Sequence, residues 1–361
     1  MQPFQKISDD KINLEDYIFL ISLYDSILLV CSQIVKLLTN YTEISIKTLY
    51  VFLERFRMDV QRIFGVENTE ELTKKIVHFC NVETDKFSLM NLSHRVFVDI
   101  LMDCCVKGTL TPKIRDHVFG DVSLLIWISG PTITAISSTA GYLCVKKREN
   151  LNYFNLMNSL YLEAKLSYLY IQDFNMFQIL ISHLDPELFL KYLLLNVYPF
   201  LRNLVDFSKP VSSMILLLHL RFGLKIGHLL NLIYNAFTER HFVGVYDNPQ
   251  LRFLDRQIIH CLAMDDRPMG SIKNHIFISR DICSKDSPNM RKELHAIVEK
   301  VSFKIASTHL DDKISLKPEY FKELNMFYFM YKDRKCNNVH KKYKEIFNSM
   351  FTSINLLTLL I

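Results

Sequence analysis

The chain has 361 residues and a net charge of +5, with 49% hydrophobic and 22% charged residues, a balance that excludes wholesale disorder because enough apolar surface is available to bury. Its length allows two domains or one large helical body. The 9 glycines fall well below the usual share of about 7%, which argues against a Gly-turn-rich β fold, and 26 Phe with 17 Tyr supply a large aromatic core or broad contact surfaces.

Charge is unevenly spread. Residues 1–145 carry 14 Lys+Arg against 17 Asp+Glu, whereas residues 146–361 carry 29 against 21. The basic second part permits an anionic partner without requiring one. The eight cysteines are Cys31, Cys80, Cys104, Cys105, Cys144, Cys261, Cys283 and Cys336. They lie mostly inside apolar helical patterns, where free Cys behaves as a small hydrophobe. Met1 to Asp10 contains Lys6, Asp9 and Asp10 and no small-residue cleavage site. A cytoplasmic or nuclear location is therefore expected.

In chain order, Leu14 to Leu38 predicts a long helix, with Glu15 and Asp16 suited to its start and Lys36 to its end. Glu43 to Phe64 predicts an amphipathic helix with Arg55, Arg57, Asp59 and Arg62 on the wet side and Gly65 as its stop. Asn68 with Glu71 resembles a capping box for a third helix to about Cys80. Ser88 to Lys107 predicts a fourth, closed by Gly108, and Thr111-Pro112 opens a short fifth. Residues 122–145 are uncharged and followed by Lys146, Lys147 and Arg148, a flank compatible with a membrane-associated segment. Their many Ser and Thr residues and the Gly130-Pro131 pair weaken that pattern. Two short buried elements with a turn at Ser129-Gly130-Pro131 are expected instead.

Asn150 to Leu184 predicts a long helix, and Asp185-Pro186-Glu187 starts another that kinks or ends near Tyr198, before Pro199. Ser208 to His241 is the stretch around which the sequence reads as organised: apolar on most sides, with Arg221, Lys225 and His228 stacked on one. Asn248-Pro249 opens a helix to about Ala263. The helical pattern then lapses across 264–286, where His275-Ile276-Phe277-Ile278 suggests a short strand. Ser287-Pro288 restarts a helix to about His309, Lys317-Pro318-Glu319 starts another, and a last one begins at Asn338. Pro112, Pro186, Pro249, Pro288 and Pro318 all stand where a helix begins, so proline acts as punctuation in an all-helical chain.

The expected fold is therefore all-α: an irregular body of about 11–13 helices, as one domain or as an acidic 1–145 half packed on a basic 146–361 half. Phosphate-loop, dinucleotide, Ser-elbow and zinc-protease motifs are absent from the sequence, and no cofactor is expected. The weak metal candidates are His260, Cys261, His275 and Cys283, which flank the irregular region but lack paired short spacings. The clearest charge cluster is Lys332, Arg334, Lys335, Lys341, Lys342 and Lys344, bracketed by Tyr331 and Tyr343. With Arg221 and Lys225, these are the candidate nucleic-acid or anion contacts.

Protein partners are the leading expectation for such a chain, which reads as a non-enzymatic scaffold or adaptor offering helical surfaces to other helices. The alternatives are a nucleic-acid-binding coat, packaging or nucleoprotein-like component, of the kind viral assemblies use, and a membrane-associated protein acting through 122–145.

Overall fold

The computed structural model describes Leu14 to Ile346 apart from residues 66–67, 80–90, 145–166, 199–200, 203, 205–207, 223–226, 242–245, 247, 273–275, 277–287, 306–312, 329–330 and 332–337. The described residues are about 80% helical, with little strand, as the scarcity of Gly and the apolar periodicity require. The chain divides into two compact units, Met1–Leu229 with Phe242–Asp247, and Leu230–His241 with Asn248–Ile361. Position 145, the division drawn from charge, lies within the first unit.

The first unit runs through α1 (Leu14–Thr39), α2 (Thr42–Phe64), α3 (Thr69–Phe79), α4 (Leu92–Val106), α5 (Pro112–Phe119), α6 (Val122–Cys144), α7 (Ser167–His183), α8 (Pro186–Val197) and α9 (Val211–Phe222). Its boundaries follow local chemistry. Gly65 ends α2 in the left-handed region at φ 59°, donating its N–H to the Gln61 carbonyl. Asn68 caps α3 by accepting from the Glu71 amide at 3.0 Å, and Asn91 caps α4 by accepting from His94 at 3.2 Å. Pro112 and Pro186 stand first in α5 and α8, behind Thr111 and Asp185, whose side chains accept from Ile114 and Leu188.

Most helices of this unit pack on α6, which meets α2, α3, α5, α7 and α8. The expected turn at 129–131 is overturned, since α6 continues through Pro131. Proline lacks the N–H that Trp127's carbonyl would accept in a regular helix. Burial on both sides of the break holds the helix together: Leu124, Leu125, Ile126 and Ile128 precede it, and Ile133, Ala135 and Ile136 follow, all buried. The hydroxyl of Ser129 is satisfied by the Ile126 carbonyl at 2.8 Å. Among the described residues no single helix is long and apolar enough to cross a membrane; α5 and the first part of α6 pass that test only together, bent by 74°.

The second unit contains most of α10 (Gly227–Thr238), then α11 (Pro249–Met264), β1 (Arg267–Pro268), α12 (Met269–Ile272), α13 (Pro288–Val301), β2 (Ser302–Ile305), β3 (Lys313–Leu316), a 3-10 helix (Pro318–Glu323) and α14 (338–346). The stretch 208–241 thus supplies α9 to one unit and most of α10 to the other. Its expected burial on most sides is only partly met, since Ile215, Leu216, Leu230, Tyr234 and Phe237 are exposed. Arg221 falls in α9 without a described side chain, and Lys225 falls outside the described residues.

The helix expected to reach His309 stops at Val301. Ser302 turns its hydroxyl back to the Val298 carbonyl at 2.7 Å, and the chain becomes extended. The three strands form one antiparallel sheet in the order β1-β3-β2, with Ser302 opposite Leu316, Lys304 opposite Ile314, and Arg267 opposite Ile314 on the other edge. Cross-strand pairing outweighs local helix propensity here, as short strands with one covered face allow. Ile314 and Leu316 bury against Leu254, Ile258, Leu262, Ile297 and Val301 in the core of this unit. The expected strand at 275–278 lies outside the described residues except for Ile276, which is buried in the same core.

Candidate interaction surface

Two buried polar networks come first, because they are where chemistry would be sought. In the first unit Arg95 of α4 grips Asp173 of α7 with two nitrogens, at 2.7 and 2.9 Å, and donates to the Leu169 carbonyl. Thr132 of α6 donates to Asp173 at 3.0 Å, so its oxygen accepts from His94 Nε2 at 2.9 Å. One carboxylate thereby ties three helices together. Burial pushes the Asp173 carboxyl up, but the charge and hydrogen bonds of Arg95 outweigh it, so the group sits below the usual carboxylate range. Burial holds the His94 ring neutral, below its ordinary value. All four side chains are buried, and the cluster fixes the positions of these helices.

In the second unit Glu239, just past α10, receives Arg256 Nε and Nη2 at 3.1 and 2.6 Å, Asn325 at 3.0 Å and His241 Nε2 at 3.1 Å. Asn325 also reaches Asn235 at 3.1 Å, while Asn235 donates to the Phe327 carbonyl at 2.6 Å. Arg256 further donates to the Glu323 carbonyl. The His260 ring stacks on Tyr328, with centroids 3.8 Å apart, and its Nδ1 meets the Tyr331 hydroxyl. Burial, and then the Arg256 charge, hold His260 well below its ordinary value. A carboxylate with four donors has no lone pair left for a reacting group, so this network too is a fastening.

The sequence-predicted site residues do not converge. Cys261 is buried in α11 beside His260, and His275 and Cys283 lie outside the described residues. Among the described residues no group of three or more His, Cys, Asp or Glu side chains is arranged to hold a metal ion. Burial pushes the Cys105 thiol up to about 12 and raises Cys104 as well, which leaves neither a ready thiolate. Of the basic cluster, Lys332, Arg334 and Lys335 fall outside the described residues. On α14, Lys341 faces Glu345 at 4.0 Å, Lys342 faces Asp266 at 3.5 Å, and Lys344 is exposed.

The feature that sequence reasoning missed is on α1. One of its faces, Leu28, Ser32, Val35 and Thr39, is buried on the side where α1 meets α2 and α4. Lys107, at the end of α4, fixes the C-terminal end of α1 by donating to the Thr39 carbonyl at 2.8 Å. A second row, Leu23, Ile27, Val30, Ile34 and Leu37, lies between 40% and 66% exposed. Its spacing alternates four and three, which keeps side chains on one helical stripe. At about 100° per residue this stripe lies roughly 150° around the axis from the buried row. The helix therefore buries a mixed face, Leu28 and Val35 with Ser32 and Thr39, and leaves an apolar row exposed on the other side. Ile44, Val51 and Met58, seven apart on α2, are exposed as well. The signal was present in the sequence as the four-three spacing itself. Which of the two rows faces the body was not. No protein-family model matches this chain, and no curated protein matches it in sequence.

Proposed function

We propose that the chain is a non-enzymatic helical scaffold that engages other proteins through the outer face of α1. The observation that supports this is the exposed row Leu23, Ile27, Val30, Ile34 and Leu37 on a helix whose opposite face is already buried. Single exposed apolar side chains are ordinary, but a continuous row at helical spacing is the form in which one helix offers itself to another. The buried network of the first unit favours the same reading, since the charges of Arg95 and Asp173 are consumed in fastening the helices of the unit that carries α1.

The test is quantitative co-purification from native cells of the wild-type chain and of an Ile27→Glu/Ile34→Glu variant. Both substituted positions are exposed, so the variant keeps its fold. Proteins that bind through this face drop roughly tenfold or more with the variant, the loss expected when apolar anchors at an interface become charged. An unchanged set of partners overturns the proposal.

A further inference from the structure

In the second unit α10 buries Asn235 and Ala236 and turns Leu230, Tyr234 and Phe237 outward, between 44% and 61% exposed. Four and three apart, these three form one stripe. Phe327, 51% exposed, extends it through an edge-on contact with Tyr234, ring centroids 5.5 Å apart. Phe327 also meets the His340 ring of α14 edge-on at 6.4 Å, and His340 Nε2 donates to the Met326 carbonyl at 3.3 Å. Two ring contacts thus lead from the outer stripe of α10 to α14.

Residues 347–361, which follow α14, lie outside the described residues. Their sequence holds nine large apolar side chains and no Asp, Glu, Lys or Arg. It also continues the pattern of α14. Val339 and Ile346 pack in the core of the unit, and their spacing runs on through Met350, Ile354 and Leu357. With Tyr343, these positions fall within about 80° of one another at about 100° per residue. Phe347 and Phe351 stand 7 and 11 positions after His340, on the helical side by which His340 meets Phe327. α10 has no Asp, Glu, Lys or Arg either, so its stripe offers a charged partner no counter-charge and suits an uncharged one. Attachment decides between this segment and a separate chain. A segment joined to the unit it binds meets the surface at an effective concentration of about millimolar. Fifteen residues extend about 22 Å as a helix and about 50 Å at full stretch, against a stripe about 10 Å long.

We infer that residues 347–361 dock as an apolar helix on the outer stripe of α10, against Leu230, Tyr234, Phe237 and Phe327 of the same chain. The inference does not involve α1 and stands or falls apart from the scaffold reading.

The experiment replaces Tyr234 of the full chain by the photoreactive p-benzoylphenylalanine and maps the cross-link by mass spectrometry after trypsin digestion. The replacement keeps an aromatic ring at an exposed position. The expected product has the 42.5 kDa mass of one chain and joins position 234 to the peptide that follows Lys344. Hydrogen exchange supplies the companion measurement. Amides of 347–361 should exchange on the order of 100-fold more slowly than in an unstructured chain, and Tyr234→Glu/Phe237→Glu should abolish that protection. The cross-link needs no charged substitution and so tests the contact even if the double variant misfolds.

A cross-linked product of twice the chain mass assigns the stripe to a second copy and overturns the inference. A cross-link to any other peptide, or none, overturns it as well. So do amides of 347–361 that exchange at the unstructured rate in the wild type, or protection that survives in a folded double variant, because the segment then rests elsewhere.

Discussion

Arg95 and Asp173 stand 78 positions apart in the sequence and meet through two hydrogen bonds at 2.7 and 2.9 Å, both side chains essentially without solvent exposure. The pair locks α4 to α7, and through Thr132 it also reaches α6. Removing one partner strands the other charge in the interior, which typically costs about 3–5 kcal/mol. Asp173→Ala is expected to destabilise the first unit by roughly that amount. Trp127, the one tryptophan of the chain, packs edge-on against Phe64 within this unit. Its fluorescence in a denaturant titration should shift to an earlier midpoint, and an unchanged midpoint would refute the role assigned to the pair.

The second unit should respond separately. Glu239→Gln removes the charge that holds Arg256, His241 and Asn325. A loss of about 3–5 kcal/mol is expected there. Hydrogen exchange along α11 should accelerate while Trp127 fluorescence keeps its wild-type midpoint. Equal shifts of both probes would show that the units do not unfold independently.

Acid should act early. Burial is the first cause that holds His94, His241 and His260 below their ordinary values in the folded chain. A group whose folded value is depressed binds its proton more readily when unfolded, so its contribution is complete above an unfolded value of about 6.5 and is lost as pH falls below it. The stability of the chain should therefore decline between about pH 7 and pH 5. Each such histidine adds a slope of up to about 1.4 kcal/mol per pH unit. Asp173, held below the usual range, adds its own loss only below about pH 4. His260→Gln should flatten the first decline. A profile level across that window would contradict the neutral, buried state of these rings.

Binding of nucleic acid should be weak. Lys341 and Lys342 already face Glu345 and Asp266, and a phosphate would have to compete with those carboxylates. A generic oligonucleotide at low salt should show no steep salt-dependent binding to the full chain. A strong salt slope, reduced by Lys341→Ala/Lys342→Ala/Lys344→Ala, would restore the basic cluster as a contact surface.

The helix starts were legible because their chemistry is local: a cap residue, a proline and a first turn stand side by side, as at Thr111-Pro112, Asp185-Pro186 and Asn248-Pro249. Replacing Asp185 or Asn248 by Ala should each cost about 1 kcal/mol, readable as a lowered unfolding midpoint. What depends on distant residues was not legible. Pro131 reads as a break until the packing of α7 and α8 around α6 is known. Ser302 to Ile305 reads as helix until β3 is placed beside it. Nothing in the sequence pairs Arg95 with Asp173, 78 positions away, and only the fold brings them together in the interior. The outer seam of α1 lies between these cases, since its spacing is written in the sequence and its exposure is a property of the fold.

If Leu23, Ile27, Val30, Ile34 and Leu37 serve association and not folding, stability and binding must respond differently to their loss. The most direct measurement takes unfolding free energy and the set of co-purifying proteins for Ile27→Glu/Ile34→Glu, with Leu28→Glu as the opposite-face control. The expected result is a double variant within about 0.5 kcal/mol of wild type, as for exposed positions, that has lost its co-purifying proteins, beside a Leu28 variant that fails to fold. A double variant that unfolds readily while its co-purifying proteins are unchanged would show that the outer row belongs to the core, and would contradict the account.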